Sequence, residues 1–152
     1  MVIIRDRRMV DVFTKSKRSE VMSRIRSHGN RETELAMVKL FRAHQISGWR
    51  RGVSIRLVDA LWERTVHIRP DFVFRKIYVA VFIDGEFWHG HPTRARIPKT
   101  RRVWWKRKIE ANKARDRMQN RLLRKHGWRV IRIWAYEMKT PAALRKLKPL
   151  LG

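Results

Sequence analysis

Apolar residues recur along this chain in two different rhythms. From Asn30, a good N-cap, Leu35, Val38 and Phe41, or Ala36 and Leu40, fall at helical spacing and predict a helix that ends over 45–48. Upstream, Val21, Met22 and Ile25 share one face of a helix that starts at Ser16 and closes at His28-Gly29. Residues 1–15 show no sustained period and read as a flexible basic arm, which leaves 16–152 as a single domain. Strict alternation takes over in Val53-Ser54-Ile55-Arg56-Leu57, the pattern of a strand, and Asp59 to Arg64 reads as a turn or loop. Two stronger strands follow, Asp71 to Phe74 and Ile77 to Asp84. The second is apolar without interruption from Tyr78 to Ile83, so it is expected at the centre of a sheet covered on both faces.

His89 to Pro98, with two prolines and a glycine, predicts a surface loop. A long helix is expected from Thr100 to His126, with Trp105, Ile109, Met118 and Leu122 on its buried side and Gly127 closing it. Trp128 to Trp134 reads as a further strand and Pro141 to Leu150 as a last short helix. Helices on both sides of a run of strands predict an α/β sandwich in three layers around a central mixed β-sheet.

Charge narrows the partner. The chain carries 38 Lys and Arg against 13 Asp and Glu, a net charge of +25. Such a molecule repels itself unless a polyanion neutralises it, and nucleic acid is the usual one. No apolar run approaches the ~18–20 residues that span a bilayer, so no membrane partner is expected. There is no cysteine, which excludes disulfides, thiolate metal sites and a cysteine nucleophile. Met1 to Lys17 lacks the apolar core of a secretory signal, so a cytoplasmic, nucleoid-associated location is expected. Between Arg94 and Lys108 lie eight basic residues, Arg101, Arg102 and Lys106 among them, and no acid. Interleaved with Trp104 and Trp105, this segment reads as a wall that tracks phosphates. Neighbouring helical residues point about 100° apart, so one of those two tryptophans is expected to face DNA.

The candidate chemistry sits where the two strong strands end. Asp71 follows Arg69-Pro70 at the start of one strand, and Asp84 ends the next, with Glu86, His89 and His91 just beyond. Acids at the start of one strand and the end of its neighbour can meet at one sheet edge, hold a hard divalent cation and leave an imidazole base beside it. Each residue also has a plainer reading. Asp is common at turns, a lone histidine is usually a loop residue, Glu34 suits a solvated helix face, and Asp116 sits among Arg115, Arg117 and Arg121 as in a surface ion pair. Set against a polyanionic substrate, the cluster points to a metal-dependent nuclease.

From about Lys17 to Glu137 the chain resembles the very-short-patch-repair (Vsr-type) mismatch endonucleases of the PD-(D/E)xK nuclease superfamily, whose fold is restriction-endonuclease-like. The resemblance rests on residues 18–27 (Arg-Ser-Glu-Val-Met-Ser-Arg-Ile-Arg-Ser), Thr33-Glu34-Leu35, Arg69-Pro70-Asp71-Phe72-Val73-Phe74, and Val81-Phe82-Ile83-Asp84-Gly85. It continues in Phe87-Trp88-His89-Gly90-His91, Lys108-Ile109 with Asn112, Arg115-Asp116-Arg117, and Gly127-Trp128-Arg129-Val130 with Ile133-Trp134. It implies that Asp71 binds catalytic magnesium with the backbone carbonyl of Ile83. It further implies that His89 assists the attacking water with support from Asp116, and that Glu34 holds water around the metal. Asp84 occupies a position where members carry His or Asp. Phe87, Trp88 and Trp105 match aromatics wedged into the base stack at a mismatch, so of the tryptophan pair the resemblance favours Trp105 as the DNA-facing one.

The implied reaction is nicking of one strand of duplex DNA, at or near a mismatched, G·T-like pair, by a monomer with one active site. Members also hold a structural zinc through cysteines and a histidine. Here Glu86 and Thr93 stand where cysteines are expected and His91 remains alone, so no structural zinc is expected. Two other readings stay open: a nuclease of the same fold without mismatch preference, serving restriction or a mobile element, and a DNA-binding module that has lost catalysis.

Overall fold

The computed structural model describes residues 31–150; the basic arm and the helix expected from Ser16 lie outside them. The first described helix, α1 (Arg31–Ala43), buries Met37, Val38 and Phe41, while Leu35 and Ala36 face outward. Its inward face is therefore rotated from the one expected. The same phase, one turn earlier, carries Glu34 toward the sheet.

The strands are β1 (Arg50–Arg51), β2 (Ile55–Asp59), β3 (Arg64–Ile68), β4 (Phe72–Phe74), β5 (Val79–Asp84) and β6 (Arg129–Trp134). Between the last two runs the long helix α2 (Arg102–Lys125), and α3 (Pro141–Leu147) follows β6. Three of these differ from expectation. β1 and β3 were not legible as strands: β1 has two residues, and β3 exposes most of its side chains, so neither carries an apolar pattern. Asp71 precedes β4 rather than starting it, and a single 3-10 turn over Arg75–Ile77, ending on left-handed Tyr78 (φ 51°), joins β4 to β5.

Four strands form one mixed sheet in the order β1-β4-β5-β6. β5 runs antiparallel to β4 and parallel to β6, with Phe72 opposite Val81 and Asp84 opposite Trp134. A parallel neighbour requires a crossover, and α2 supplies it. All six residues of β5 are buried, as its uninterrupted apolar run predicts.

Alternate residues of β5 enter two different cores. Val79, Val81 and Ile83 pack with Met37, Phe41 and Leu147 under α1 and α3. Ala80 and Phe82 pack with Leu122 and Leu123 of α2 and with Ile55, Leu57 and Ile68 of the β2–β3 hairpin. The three expected layers are present, with the hairpin sharing the third layer with α2.

Along α2 the buried residues are Trp105, Ile109, Asn112, Asp116, Leu122 and Leu123, while Met118 is only half-buried. The seam is helical in spacing, but two of its central members are polar. Gly127 (φ 80°) ends the helix in the left-handed conformation that glycine adopts without strain.

Leu123 is fully buried between α2 and the hairpin. Leu123→Ala is expected to cost about 2–5 kcal/mol in urea unfolding; a loss below about 1 kcal/mol would mean that this layer is loosely packed.

Candidate active site

The buried polar residues collect at the carboxyl end of β5. Asp84 ends that strand on the α2 side, and Arg132 reaches it from β6, where it pairs with Phe82 and lies over that ring at 4.5 Å. The contact is two-pronged: Arg132 Nε donates to Asp84 Oδ2 at 2.7 Å and Nη2 to Oδ1 at 2.9 Å. On α2, Asp116 and Asn120 lie one turn apart and face the same guanidinium. Nη1 donates to Asn120 Oδ1 at 2.8 Å, and Nη2 lies 3.0 Å from Asp116 Oδ1, an ion pair without good hydrogen-bond alignment.

Past Asp84 the chain makes a tight turn, with His89 N–H donating to Gly85 O and His91 N–H to Glu86 O. Two contacts lock this turn on α2. Asn112 Nδ2 donates to Trp88 O at 3.0 Å. Gly90 (φ 60°) lies so close to the helix that a Cβ there would come within 2.6 Å of both Ile109 and Lys113. His89 is thereby buried, with Nδ1 2.6 Å from Asp116 Oδ2 and 3.6 Å from Asp84 Oδ1.

Burial would raise the Asp116 carboxyl, but its hydrogen bond with His89 and the charge of Arg132 outweigh that and hold it below the usual range. Burial likewise works against the charge of Arg132, and its bonds to Asp84 and Asp116 more than compensate, so it stays a cation.

Asp71 approaches from the neighbouring strand. The N–H of Ile83 donates to its Oδ2 at 2.6 Å, which fixes the carboxylate beside the residue whose carbonyl the resemblance offers to a cation. Burial pushes Asp71 up to about 6; the Ile83 bond and Arg132 oppose this, and the charges of Glu34 and Asp84 add to it. A cleft of about 470 Å³ opens over Asp71, lined also by Glu34, His67, Arg69, Arg115 and Gln119. The structure thus brings Glu34, Asp71, Asp84, His89 and Asp116 to one end of the sheet. Arg132, Asn112 and Asn120 complete the arrangement; Asn112 enters the resemblance without a role, and Arg132 and Asn120 carry no local signal in the sequence. Arg132 looks like one more arginine among many, and the asparagines carry no apolar signal, although their spacing from Asp116 and Ile109 was readable.

Beside His89 stand the aromatics. Phe87 makes edge contacts with Trp88 (5.1 Å between centroids) and Trp105 (5.2 Å), and Trp88 lies 5.9 Å from Trp105. Trp105 is the buried member of the tryptophan pair and Trp104 is 51% exposed, the reverse of the expectation that Trp105 is the one turned outward. The phase of the α2 seam explains this, since Trp105 precedes Ile109 by one turn on the face that meets the Phe87-Trp88 turn. Arg101, Arg102 and Lys106 are exposed on the outer side of the same helix end.

Where the resemblance would place zinc, side chains of this chain tie the loop together. His91 Nδ1 accepts the N–H groups of Thr93 and Arg94, so its Nε2 carries the proton and donates to Tyr136 Oη at 3.3 Å. Its ring packs edge-on against Trp134 and Tyr136. Glu86 accepts the N–H of Tyr136, and Arg94 covers the Tyr136 ring at 3.9 Å.

By sequence the chain is similar to known DNA endonucleases. The family model for DNA mismatch endonuclease Vsr matches residues 10–95. The type II nicking enzyme V.XorIIP of Xanthomonas oryzae pv. oryzae is 35% identical over 137 residues, 90% of this chain and 92% of that protein. DNA mismatch endonuclease Vsr of Escherichia coli is 35% identical over 127 residues, 83% of this chain and 74% of that one. The type II nicking enzyme V.NaeI of Lentzea aerocolonigenes is 43% identical over 89 residues, 59% of this chain but only about half, 51%, of the relative.

The raised Asp71 has a testable sign. An acid whose folded value lies above its unfolded 3.8 adds stability that is complete below pH 3.8 and lost as pH rises through about 6. Asp71→Asn is therefore expected to stabilise the metal-free protein by roughly 1–3 kcal/mol at pH 8 and by little at pH 4. Urea titrations in EDTA at both values check this, and destabilisation at pH 8 would contradict it.

Proposed function

The chain belongs to the DNA mismatch endonuclease Vsr family and is a DNA endonuclease; from that premise we propose that it nicks one strand of duplex DNA at or near a mismatched base pair, with magnesium. The observation that carries this reading is the buried His89–Asp116 pair: it lies at the sheet end where Asp71 accepts the Ile83 N–H, and His89 shares its turn with Phe87 and Trp88.

The donors at Asp71 suit magnesium. They are oxygens, and among the described residues no group of three or more His, Cys, Asp and Glu side chains is arranged to hold an ion. Magnesium keeps several waters and needs one or two carboxylates, whereas zinc sites take three or four protein ligands. Asp71 and the Ile83 carbonyl would hold the cation, with Glu34 across the cleft. When bound, the cation polarises the scissile phosphate and offsets charge on the leaving oxygen.

The remaining chemistry belongs to the side chains. Asp116 accepts the Nδ1 proton of His89 and so leaves the Nε2 lone pair as the base. From there it takes a proton from water as the water oxygen bonds to phosphorus and the P–O bond to the leaving group breaks. Arg69 and Arg115, which line the cleft, would supply positive charge to backbone phosphates of a bound duplex. The aromatic cluster, against the turn that carries His89, supports selection of base pairs that unstack cheaply.

The test is a nicking assay with magnesium on matched and G·T-mismatched duplexes. Asp71→Ala is expected to abolish nicking while duplex affinity stays equal or rises, since one negative charge near phosphates is gone. His89→Ala is expected to slow nicking by roughly 10²–10⁴-fold. Equal activity in Asp71→Ala would remove the metal assignment, and equal rates on the two duplexes would remove the mismatch preference. Elemental analysis is expected to find zinc well below one atom per chain; one per chain would show that Glu86 and His91 serve a metal after all.

A further inference from the structure

We propose that Arg132 is a positioning residue for the nuclease reaction, fixing the carboxylate of Asp116 so that His89 presents a single tautomer to water. The proposal rests on the reading of His89 as the group that activates water.

Two carboxylates compete for one ring N–H. Asp116 Oδ2 lies 2.6 Å from His89 Nδ1, and Asp84 Oδ1 lies 3.6 Å from it. The oxygen of Asp84 that approaches His89 is the one held by Arg132 Nη2 at 2.9 Å, while Nε takes the other at 2.7 Å. The fork therefore keeps Asp84 back from the imidazole. The same Nη2 lies 3.0 Å from Asp116 Oδ1, which leaves Oδ2 to accept from His89. One guanidinium nitrogen thus sets the positions of both acids.

The cation is itself fixed on three sides. Nη1 is held by Asn120, one turn beyond Asp116 on the same helix, and the guanidinium carbon lies 4.5 Å from the centre of the Phe82 ring. Its side chain is 18% exposed, and both acids it binds are buried. A lysine carries the same charge but lacks the planar fork and cannot reproduce the contacts with Asp84, Asp116 and Asn120 at once. A bare counter-ion role would be met by either residue; a positioning role would not.

A double-mutant cycle separates the two. Arg132→Lys is expected to lower kcat by at least about tenfold, as loss of an orienting contact does, with KM for the duplex unchanged. In a His89→Ala background the same change is expected to cost nothing further, because its effect passes through the imidazole. Nitrogen NMR of His89 in the metal-free protein is expected to show one tautomer, protonated at Nδ1, in the parent and a mixture in Arg132→Lys.

Parental kcat in Arg132→Lys, or an equal loss in both backgrounds, would overturn the proposal. If Arg132→Lys does not fold, Asp84→Asn/Arg132→Gln removes the opposed charges together. A kcat in that folded variant below that of Asp84→Asn alone supports positioning, and a kcat equal to that of Asp84→Asn overturns it, since Arg132 would then only neutralise Asp84. Parental nicking by His89→Ala alone would instead bring down the reading of His89 on which the proposal stands, a failure distinct from the others.

Discussion

The active end of this molecule depends on a largely buried cation between two buried acids. Asp84 and Asp116 both lose water on folding, and Asp71 joins them from the adjacent strand with its carboxyl raised by the same burial. Removing one partner of such a pair typically costs about 3–5 kcal/mol, because a charge is left in the interior without compensation. Arg132 answers that constraint with a geometry that also distributes work: Asp84 is fully engaged, Asp116 keeps one oxygen for His89, and Asp71 stays turned to the cleft. Among the described residues many arginines and lysines are exposed, where they suit phosphates, whereas Arg132 points inward.

The sheet topology makes that placement cheap. β5 and β6 run parallel, so their carboxyl ends lie together, and the α2 crossover returns along the face to which Phe82, Asp84 and Arg132 point. Antiparallel β4 starts where β5 ends, which sets Asp71 against the N–H of Ile83. No long loop has to be ordered to bring the acids together. The turn carrying His89 closes against Ile109 and Asn112 of the same helix, and a side chain at Gly90 would not fit.

Much of this was readable from residue pattern. The uninterrupted run ending at Asp84 marked the central strand, and the spacing of Asp71, Asp84 and His89 marked the sheet end where they meet. The apolar period of the α2 seam points to Met118, which is only half-buried, and gives no place to Asn112; yet the polar members at 112 and 116 are the ones that build the site. β3 was illegible because most of its side chains face water, and strands are recognised by what they bury. Arg132 was hidden by composition, since nothing local distinguishes an arginine that points inward from its many neighbours. The tie from Glu86 and His91 to Tyr136 joins segments about 45–50 residues apart, a pairing that no local pattern encodes.

The aromatic cluster carries a physical consequence for the proposed choice of mismatched DNA. Phe87 already packs edge-on against both Trp88 and Trp105, contacts worth about 0.5–1.5 kcal/mol each beyond area burial. Entering a base stack gives up part of that packing and returns about 1–3 kcal/mol per base stacked on an aromatic face. The two nearly cancel, so the outcome turns on the cost of opening the duplex, a few kcal/mol for a paired step and least for a mismatched one. The cost of unpacking the cluster is the same on either duplex, so the preference comes from the difference in opening cost. The cluster sets how much opening of either duplex is driven. A cluster already packed on itself supplies little net drive, so the bases that open most readily are the ones entered, and burial of Trp105 in the free protein is thereby compatible with a wedge rather than contrary to it.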